Sequence, residues 1–441
     1  MLNEFLAVVE KHKLFKPNDK LLVAVSGGVD SMVLLDLLKK GEFNVTVAHC
    51  NFKLRGADSD GDEKFVKDTS ENLGFNCLTE SFDTKKYATD NSISTQMAAR
   101  ELRYTWFDEL MDENNFKYLL TAHHLNDSLE TSIFNFTKGT GIAGLRGILV
   151  KKDKLVRPML EFTKEEVVDY AEQNNMKWRE DVSNSSIDYK RNFIRKKVVP
   201  LLKEVNPSLE SSFLLTAKRL QSLESLLEKQ ILEFKRAFEL EGDHIFIRKA
   251  QFQKQEWVVM ESVLKEYGFN HYHLQSTLDI LNDDVPSGKQ FESHTHSMNV
   301  DREHIILSPK FQNEDVLVEI GEEEEGTLNG VIVGGKVSDD LSYSIDPQVA
   351  KLDFDLLKFP LRLRYWREGD RFQPLGMKGK KKLSDFMIDA KIPLNLKKRV
   401  MVLLSENKIV WVVGHRIDER FKITPDTKKA YSLEITNDQS I

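Results

Sequence analysis

The stretch at residues 21–35, LLVAVSGGVDSMVLL, decides the fold, because an apolar run stops at a short polar turn and then resumes. The residues before Ser26 predict a β-strand, and those from Val29 onward predict a helix. Glycines in the turn leave backbone N–H groups open to a ligand, serines add hydroxyl donors, and the helix N-terminus adds partial positive charge. The turn formed by residues 26–31 therefore predicts an anion-binding loop.

Two nucleotide-binding motifs that resemble this turn do not fit the chain. The turn has neither the spacing nor the lysine of the Walker motif GxxxxGK[ST]. The sequence GTGIAG at residues 139–144 matches the GxGxxG dinucleotide fingerprint, but it follows a helical pattern rather than a strand, which argues against an NAD site. Asp30 would repel a phosphate unless a cation intervened, so its carboxylate indicates Mg²⁺ or work on a reacting group.

Composition places the 441-residue chain among multidomain soluble proteins, since it is 40% hydrophobic and 30% charged. No apolar run approaches the roughly 20 residues of a membrane-spanning helix. The N-terminus has helical spacing and no export signature. The two cysteines, Cys50 and Cys77, form no C-x-x-C pair, which fits a reducing compartment. We therefore expect a cytoplasmic protein.

Charge is distributed unevenly along the chain. Residues 361–430 contain 18 Lys and Arg against 8 Asp and Glu, a net charge of +10, whereas the whole chain carries −7. A basic segment on an acidic protein suggests a polyanionic partner, because neutralised phosphates release counterions. The alternative is a solvated charged surface.

The order of patterns predicts an α/β fold of three domains. Residues 1–205 alternate apolar runs with helical patterns, which is typical of a doubly wound parallel sheet with ligands beyond the carboxyl ends of its strands. Residues 206–312 begin with one long amphipathic helix and predict a mainly helical middle domain. Residues 313–441, after an acidic stretch read as a linker or solvated edge, predict a small, basic α+β domain.

Two further polar segments follow the loop. In TAHHLNDSLETSIFNF, residues 121–136, Asp127 and Glu130 share one helix face and can hold an ammonium group or a metal. His123 and the next histidine are candidate metal ligands, packing residues or partners for phosphate, and without H-E-x-x-H or cysteine we disfavour zinc. Arg191 and Arg195 would share another helix face, suited to a carboxylate or phosphate, or simply solvated.

The SGGVDS turn, between a strand and a helix, resembles the PP-loop of the N-type ATP pyrophosphatases. Taken together, the segments resemble the bacterial tRNA(Ile)-lysidine synthetase family over most of the chain, least in the middle domain. The motifs are H-x-N-x-x-L-R (residues 49–55), A-R-x-x-R-Y (99–104), A-H-H-x-x-D-x-x-E-T (122–131), G-x-G-x-x-G-L-x-G (139–147), E-D-x-S-N (180–184) and R-N-x-I-R (191–195). The chain departs from the family pattern at Phe52, Asn126 and Ser128.

The resemblance implies an ATP-dependent ligase with Mg²⁺. Such an enzyme adenylates the C2 oxygen of the wobble cytidine in the CAU anticodon of tRNA-Ile and releases pyrophosphate. The amine of L-lysine then displaces AMP and gives lysidine. The middle and C-terminal domains would contact the tRNA, and the oligomeric state is left open, with a homodimer as one candidate.

The resemblance also assigns residues to roles. ATP would bind Ser26, Gly27, Gly28, Val29, Asp30 and Ser31, with Asp30 at the metal. The catalytic residues would be Asp30, His123 and Asp127. Lysine would bind Arg103, Asp127, Glu130 and Arg191. The tRNA would contact Arg195, Arg371, Lys378, Lys380, Lys381 and Lys382.

Two alternatives stay open at this point. One is another PP-loop tRNA-modifying enzyme, although a tRNA thiolase would need catalytic or cluster-binding cysteines that Cys50 and Cys77 supply poorly. The other is a tRNA- or nucleotide-binding module without catalysis, for which the altered segment at residues 126–128 is the support.

Overall fold

The structure is a computed structural model that describes residues 1–179, 190–282, 288–311, 316–328 and 330–437. The chain forms two compact units, Met1–Leu227 and Glu228–Ile441. Within the described residues, every helix is too short or too polar to cross a membrane.

The first unit alternates strands and helices. Its strands are β1 (Leu21–Ala24), β2 (Val45–Asn51), β3 (Asn76–Ser81), β4 (Tyr118–Leu120), β5 (Lys151–Lys152) and β6 (Leu155–Val156). Its helices are α1 (Leu2–Lys11), α2 (Val29–Lys40), α3 (Ala57–Asn72), α4 (Thr84–Asp90), α5 (Thr95–Glu113), α6 (Leu125–Phe136), α7 (Ile142–Leu145), α8 (Lys164–Gln173), α9 (Lys190–Phe193), α10 (Val199–Val205) and the start of α11 (Leu209–Lys235). A π-helical turn, Ile194–Val198, joins α9 to α10.

The six strands form one sheet in the order β3-β2-β1-β4-β6-β5. The pairs from β3 to β6 are parallel, and β5 adds an antiparallel edge. The predicted doubly wound parallel sheet is confirmed. The chain runs outward from β1 to β3 and then returns to β4 on the other side of β1, so the strand order reverses between β1 and β4. The segments that follow these two strands meet at this switch point, where open α/β sheets bind ligands.

The opening apolar run forms the central strand because both of its faces are buried. Leu21 and Val23 pack into one core cluster with α1 and α2, while Leu22 faces the other layer with Phe107 and Leu110 of α5. Successive side chains of a strand point to opposite faces, so a strand between two helical layers is apolar at every position. This packing fixes where the polar turn at residues 26–31 leaves the sheet.

The second unit is built mainly from antiparallel sheets. Its helices are α12 (Lys249–Phe252), α13 (Trp257–Glu266), α14 (His271–Asn282), α15 (Leu383–Asp389) and α16 (Leu394–Lys397). Its strands are β7 (Glu239–Glu241), β8 (His244–Arg248), β9 (Lys289–Glu292), β10 (His296–Val300), β11 (His304–Pro309), β12 (Leu317–Ile320), β13 (Glu325–Leu328), β14 (Val331–Ser338), β15 (Val349–Asp353), β16 (Leu361–Tyr365), β17 (Arg371–Phe372), β18 (Lys381–Lys382), β19 (Met401–Ser405), β20 (Lys408–Val412), β21 (Arg416–Ile417) and β22 (Ala430–Asn437).

These strands make four sheets. The orders are β7-β8-β11-β10-β9, β12-β16-β19-β20-β21, β13-β14-β22-β15 and the pair β17-β18. The segment at residues 206–312 thus contains the predicted helices. It also contains a five-stranded antiparallel sheet, β7 to β11, that the sequence analysis does not predict. The acidic stretch before the C-terminal segment supplies β12 and β13, which are edge strands. Ile320 turns inward there, between exposed glutamates, and is fully buried.

A buried polar cluster lies where α16 packs on the sheet formed by β7 to β11. The Asn395 side-chain amide donates to Ser308 Oγ at 2.6 Å, and Asn299 donates to Asn395 Oδ1 at 3.5 Å. His244 Nδ1 lies 3.0 Å from the same Ser308 hydroxyl. Arg399 bridges the Asp243 carboxylate and the Pro309 carbonyl. The cluster therefore joins the β7–β11 sheet to the C-terminal part of the unit through hydrogen bonds.

Candidate active site

The turn at residues 26–31 is held in shape by its own serines. Gly27 has φ +89°, a conformation that glycine adopts without strain, and Gly28 caps α2. The Ser31 hydroxyl accepts from Gly27 N–H at 3.2 Å and donates to the Gly28 carbonyl at 2.9 Å. Ser26 Oγ accepts from Gly28 N–H at 3.4 Å. The backbone N–H groups thus cluster at the N-terminus of a 12-residue helix, which favours an anion.

Asp30 lies in the first turn of α2 and is paired with a residue that the sequence analysis did not single out. The Lys164 ammonium donates to Asp30 Oδ1 at 2.6 Å, and His124 Nε2 lies 3.9 Å from Oδ2. Lys164 is the first residue of α8, behind a capping box formed by Thr163 and Glu166. That T-x-x-E pattern is a sequence signal for a helix start beside Lys164, but it carries no information about Asp30.

The Asp127 carboxylate caps the N-terminus of its own helix, α6. Asp127 Oδ2 accepts from the His124 backbone N–H at 3.0 Å and lies 3.5 Å from His124 Nε2. His124 therefore stands between Asp30 of the loop and Asp127 of α6. Burial lowers the pKa of His124, so its imidazole is neutral near pH 7 and separates the two carboxylates without adding a charge.

Glu130 is buried, and an arginine neutralises it. Arg195 Nε donates to Glu130 Oε1 at 2.6 Å, its Nη2 donates to Oε2 at 3.0 Å, and Nη2 also reaches Asp127 Oδ1 at 3.1 Å. Burial raises the pKa of Glu130, and the Arg195 guanidinium acts in the opposite direction. The sequence analysis expects Arg195 on RNA phosphate, whereas here its guanidinium lies on the two predicted lysine-site acids.

The other residues of the first unit that are predicted to take part in catalysis or lysine binding are Arg103, His123 and Arg191. Arg103 on α5 stacks over the Phe52 ring, with 5.1 Å between its guanidinium and the ring centroid. His123 Nδ1 lies 2.9 Å from Thr121 Oγ1, and burial lowers the pKa of His123 to about 4. Arg191 is exposed, and its positive charge acts to lower the pKa of both His123 and Glu130. The histidine is therefore a neutral hydrogen-bonding group near pH 7.

A cavity of about 440 Å³ opens at the switch point between β1 and β4. Its walls include Ser26, Asp30 and Ser31 from the loop, Arg103 from α5, and His123 and Asp127 from the start of α6. The structure thus brings three of the six predicted ATP-loop residues and all three predicted catalytic residues to one cavity. Glu130 lies behind Asp127 and is joined to it through Arg195.

The H-x-N-x-x-L-R segment supports this cavity through hydrogen bonds to its neighbours. His49 Nδ1 lies 2.8 Å from the Val25 carbonyl, directly before the loop. Asn51 donates to Asp60 and Glu63 of α3, both at 2.9 Å. These contacts hold α3 against the end of β2. The E-D-x-S-N turn, Glu180 to Asn184, lies outside the described residues.

The three departures from the family pattern have packing partners. Asn126 donates to Glu210 at 3.0 Å and accepts from the Lys164 backbone N–H at 2.9 Å. Ser128 Oγ accepts from Ile148 N–H at 2.9 Å. Phe52 stacks on Phe82 and carries Arg103. The chain therefore uses these positions to join elements of its own fold.

The predicted tRNA contacts of the C-terminal segment lie on one small hairpin of the second unit. Arg371 is on β17 and Lys382 on β18, and both side chains are exposed. Lys378 and Lys380 lie in the connecting turn and are also exposed. Lys381 contacts Asp389 of α15. We name the segment at residues 371–382 the basic hairpin.

The donor set fits Mg²⁺ in a specific way. Among the described residues, no group of three or more His, Cys, Asp or Glu side chains is arranged to hold a metal ion. A single carboxylate, Asp30, beside an anion-binding loop is the arrangement in which substrate phosphates supply the other oxygen ligands. The site therefore fits a magnesium ion that arrives with a nucleotide.

Comparison with known proteins gives three family matches and near full-length relatives. Residues 2–202 match the PP-loop domain, residues 239–310 the TilS substrate binding domain, and residues 361–434 the TilS substrate C-terminal domain. The tRNA(Ile)-lysidine synthase of Bacteroides thetaiotaomicron is 36% identical over 97% of this chain and 98% of its own length. That of Parabacteroides distasonis is 35% identical over 97% and 98%, and that of Clostridium tetani is 30% identical over 100% and 99%.

Proposed function

The chain belongs to the tRNA(Ile)-lysidine synthase family, and from that premise we propose how its residues divide the work of the reaction. It is a ligase that uses ATP to join lysine to C2 of the wobble cytidine in the CAU anticodon of tRNA-Ile. The cytidine is adenylated first, and the products are lysidine, AMP and pyrophosphate. The observation that supports our assignment best is the line of Asp30, His124 and Asp127 across the switch point, with separations of 3.9 and 3.5 Å.

The phosphates that leave as pyrophosphate bind the loop at residues 26–31. The Val29 N–H group and the Ser26 and Ser31 hydroxyls would face the anion, joined by the Gly27 and Gly28 N–H groups once these release the serine oxygens. Negative charge grows on these phosphates as the α–β bond breaks, and a preorganised set of donors stabilises it. Asp30 would hold Mg²⁺, which when bound supplies Lewis-acid stabilisation of phosphate charge.

Lysine binds the acids of α6. Asp127 faces the cavity and Glu130 lies behind it, and Arg195 balances only one of their two negative charges, so the pair keeps a negative charge that attracts the ammonium of the substrate side chain. The amine attacks only after it loses a proton, and Asp127 is the carboxylate on the cavity wall that can accept it. Arg103 and Arg191 pair with the lysine carboxylate, since a guanidinium fits a carboxylate through paired N–H donors.

His123 assists as a neutral group near the phosphates. Its pKa of about 4 leaves the ring uncharged at neutral pH, so it donates or accepts one hydrogen bond and supplies no cation. The positive charge at this site comes from the arginines and from Lys164.

The second unit binds the tRNA, and the basic hairpin is its proposed phosphate contact. Exposed cations on a short hairpin match the spaced charges of an RNA backbone, and their binding releases counterions. Arg195 stays a candidate RNA contact in addition to its pairing with Glu130. The target cytidine reaches the catalytic cavity unstacked, because a pocket can read a base only when its edges are free.

The deciding experiment incubates the full chain with an unmodified CAU tRNA-Ile transcript, L-lysine, ATP and Mg²⁺. We expect lysidine at the wobble position by mass spectrometry of nucleosides, with AMP and pyrophosphate in equal amounts. Omission of lysine should stop lysidine formation, and omission of Mg²⁺ tests the metal. ATP turnover with a different modified nucleoside would favour another PP-loop enzyme, and absence of turnover would favour a binding module.

We also propose a cytoplasmic location and a homodimer. Fractionation of cells that express the chain tests the first. Light scattering on the purified chain, with and without tRNA, tests the second, since a monomer mass in both states contradicts it.

A further inference from the structure

In the scheme above Lys164 contributes positive charge but contacts no substrate, although its ammonium lies 2.6 Å from Asp30 Oδ1 of the loop. We propose that Lys164 is a phosphate-binding residue whose ammonium, seated on Asp30 in this structure, contacts the β- and γ-phosphates when ATP is bound. The inference rests on the proposed function, because it takes the loop at residues 26–31 as the site of the departing phosphates. It assigns to α8 a part of the ATP site that the six-residue motif itself does not contain.

The backbone of Lys164 is fixed beside the loop. Its N–H donates to Asn126 Oδ1 at 2.9 Å, and Asn126 is itself held by Glu210 at 3.0 Å. The preceding Thr163 caps α8 by accepting from Glu166 N–H. Lys164 is thus anchored at its main chain, while its four-carbon side chain is free to change direction.

Helix α8 is also tied to α2, the helix that carries Asp30. Val167 and Ala171 of α8 are buried in the same core cluster as Leu34 and Leu38 of α2. These contacts fix the separation of the two helices. The Lys164 ammonium therefore stays within side-chain reach of the loop N–H groups.

The negative charge of Asp30 opposes the binding of an anion unless a cation lies beside it. The Asp30 carboxylate lies in the first turn of α2, where a polyphosphate would bind, and the motif contains no lysine. In the Walker motif a lysine of the loop itself reaches the β- and γ-phosphates. Here the ammonium 2.6 Å from Asp30 Oδ1 comes from another helix and cancels the charge that opposes the anion. A metal ion held by Asp30 would leave this ammonium available for phosphate.

The ion pair of Lys164 and Asp30 is not explained by a contribution to the stability of the fold. The side chains of Lys164 and Asp30 are 38% and 31% exposed, and ion pairs so open to water contribute little to folding. A second ion pair, on the helix that carries Asp30, allows a direct comparison. Lys40 contacts Asp36 at 2.8 Å with the same 38% exposure of the lysine, but its partner Asp36, unlike Asp30, does not line the cavity. Lys40 is therefore the matched control for Lys164.

The test measures nucleotide affinity of the full chain by calorimetry, in the presence of Mg²⁺ and in the absence of lysine and tRNA. The ligands are AMP, pyrophosphate and an ATP analogue with a methylene bridge between its α- and β-phosphates. The variants are K164M, which keeps the length and removes the charge, K164R, which keeps the charge, and K40M. Thermal unfolding of each variant is recorded alongside.

We expect K164M to weaken binding of the ATP analogue and of pyrophosphate by about 10- to 100-fold, the usual effect of losing one hydrogen bond between charged groups. Binding of AMP should change by less than twofold. K164R should keep most of the affinity, and K40M should match the unsubstituted chain. All variants should unfold near the same temperature.

Several results overturn the inference. If K164M binds the analogue as tightly as the unsubstituted chain or more tightly, or if it loses affinity for AMP to the same extent, Lys164 does not contact the departing phosphates. A large fall in melting temperature for K164M but not for K40M assigns Lys164 a structural role instead. If the unsubstituted chain itself binds neither pyrophosphate nor the analogue, the proposed function fails as well.

Discussion

The switch-point site and the basic hairpin use charge in opposite ways. At the switch point, carboxylates lie within 4 Å of cations or histidines, and Glu130 is only 4% exposed. On the hairpin, Lys378 and Lys380 extend into solvent. The first arrangement fixes each group in position through its neighbours, whereas the second offers charge over an area. We therefore expect single substitutions to act steeply at the switch point and gradually on the hairpin.

The largest effect should follow from Asp30→Asn. This change removes the charge that would hold Mg²⁺ and leaves the size of the side chain unchanged, so we expect lysidine formation to fall by about 1,000-fold. The rate is measured with tRNA, lysine and ATP at saturation. Asp36→Asn, further along the same helix, is the control and should keep most of the activity. Unaltered activity of the Asp30 variant would remove this residue from the catalytic set.

The next effect concerns the lysine pocket and Glu130→Gln. Loss of one buried carboxylate should raise the KM for lysine by about 30-fold, the equivalent of one charge-assisted hydrogen bond, and leave the KM for ATP nearly unchanged. Steady-state kinetics with each substrate varied in turn measures the two constants. Glu161→Gln is the control, since Glu161 pairs with Lys11 and His12 rather than with the site. An equal change in both KM values would contradict a lysine-specific role.

A smaller, additive effect should follow from neutralising the basic hairpin. Lys378→Ser and Lys380→Ser should each weaken tRNA binding by about two- to fivefold and reduce the slope of log K against log salt concentration by about 1. Filter binding across a salt series measures both quantities. Lys85→Ser, an exposed lysine on α4, is the control. A hairpin variant with an undiminished salt slope would show that its lysine contacts no phosphate.

The effect expected to be smallest near neutral pH is the pH dependence from His123. The folded chain binds a proton on this ring only near pH 4, whereas the unfolded chain binds one near pH 6.5. Stability from this residue is therefore complete above pH 6.5 and falls as the pH is lowered toward 4, by at most about 1.4 kcal/mol per pH unit. NMR titration of the imidazole resonances, assigned with His123→Asn, should give a midpoint near 4. A midpoint near 6.5 would contradict the buried, neutral ring.

Sequence reasoning reached the parts of the site that depend on neighbouring residues. The turn after β1 could be predicted because its glycines and serines lie between a strand pattern and a helix pattern. Asp127 and Glu130 could be placed on one helix face because they are three positions apart. The parallel sheet followed from the alternation of strands and helices in residues 1–205.

Contacts between distant parts of the chain could not be predicted in this way. Lys164 and Asp30 are 134 positions apart, and Arg195 and Glu130 are 65 apart, so no local spacing reports either pair. The sheet of β7 to β11 was missed for a different reason. Its edge strands, such as KQFE in β9 and ELE in β7, are short and polar, and they gain stability from pairing rather than from apolar alternation.

The buried amides of the second unit limit how this protein can be recombined with its relatives. Asn299 and Ser308 belong to the segment that matches the substrate binding domain, and Asn395 belongs to the C-terminal match. A chimera that takes one segment from a relative with apolar residues at these positions would bury unsatisfied polar groups, at about 1–3 kcal/mol for each. The two substrate segments are therefore expected to be inherited and exchanged as one piece.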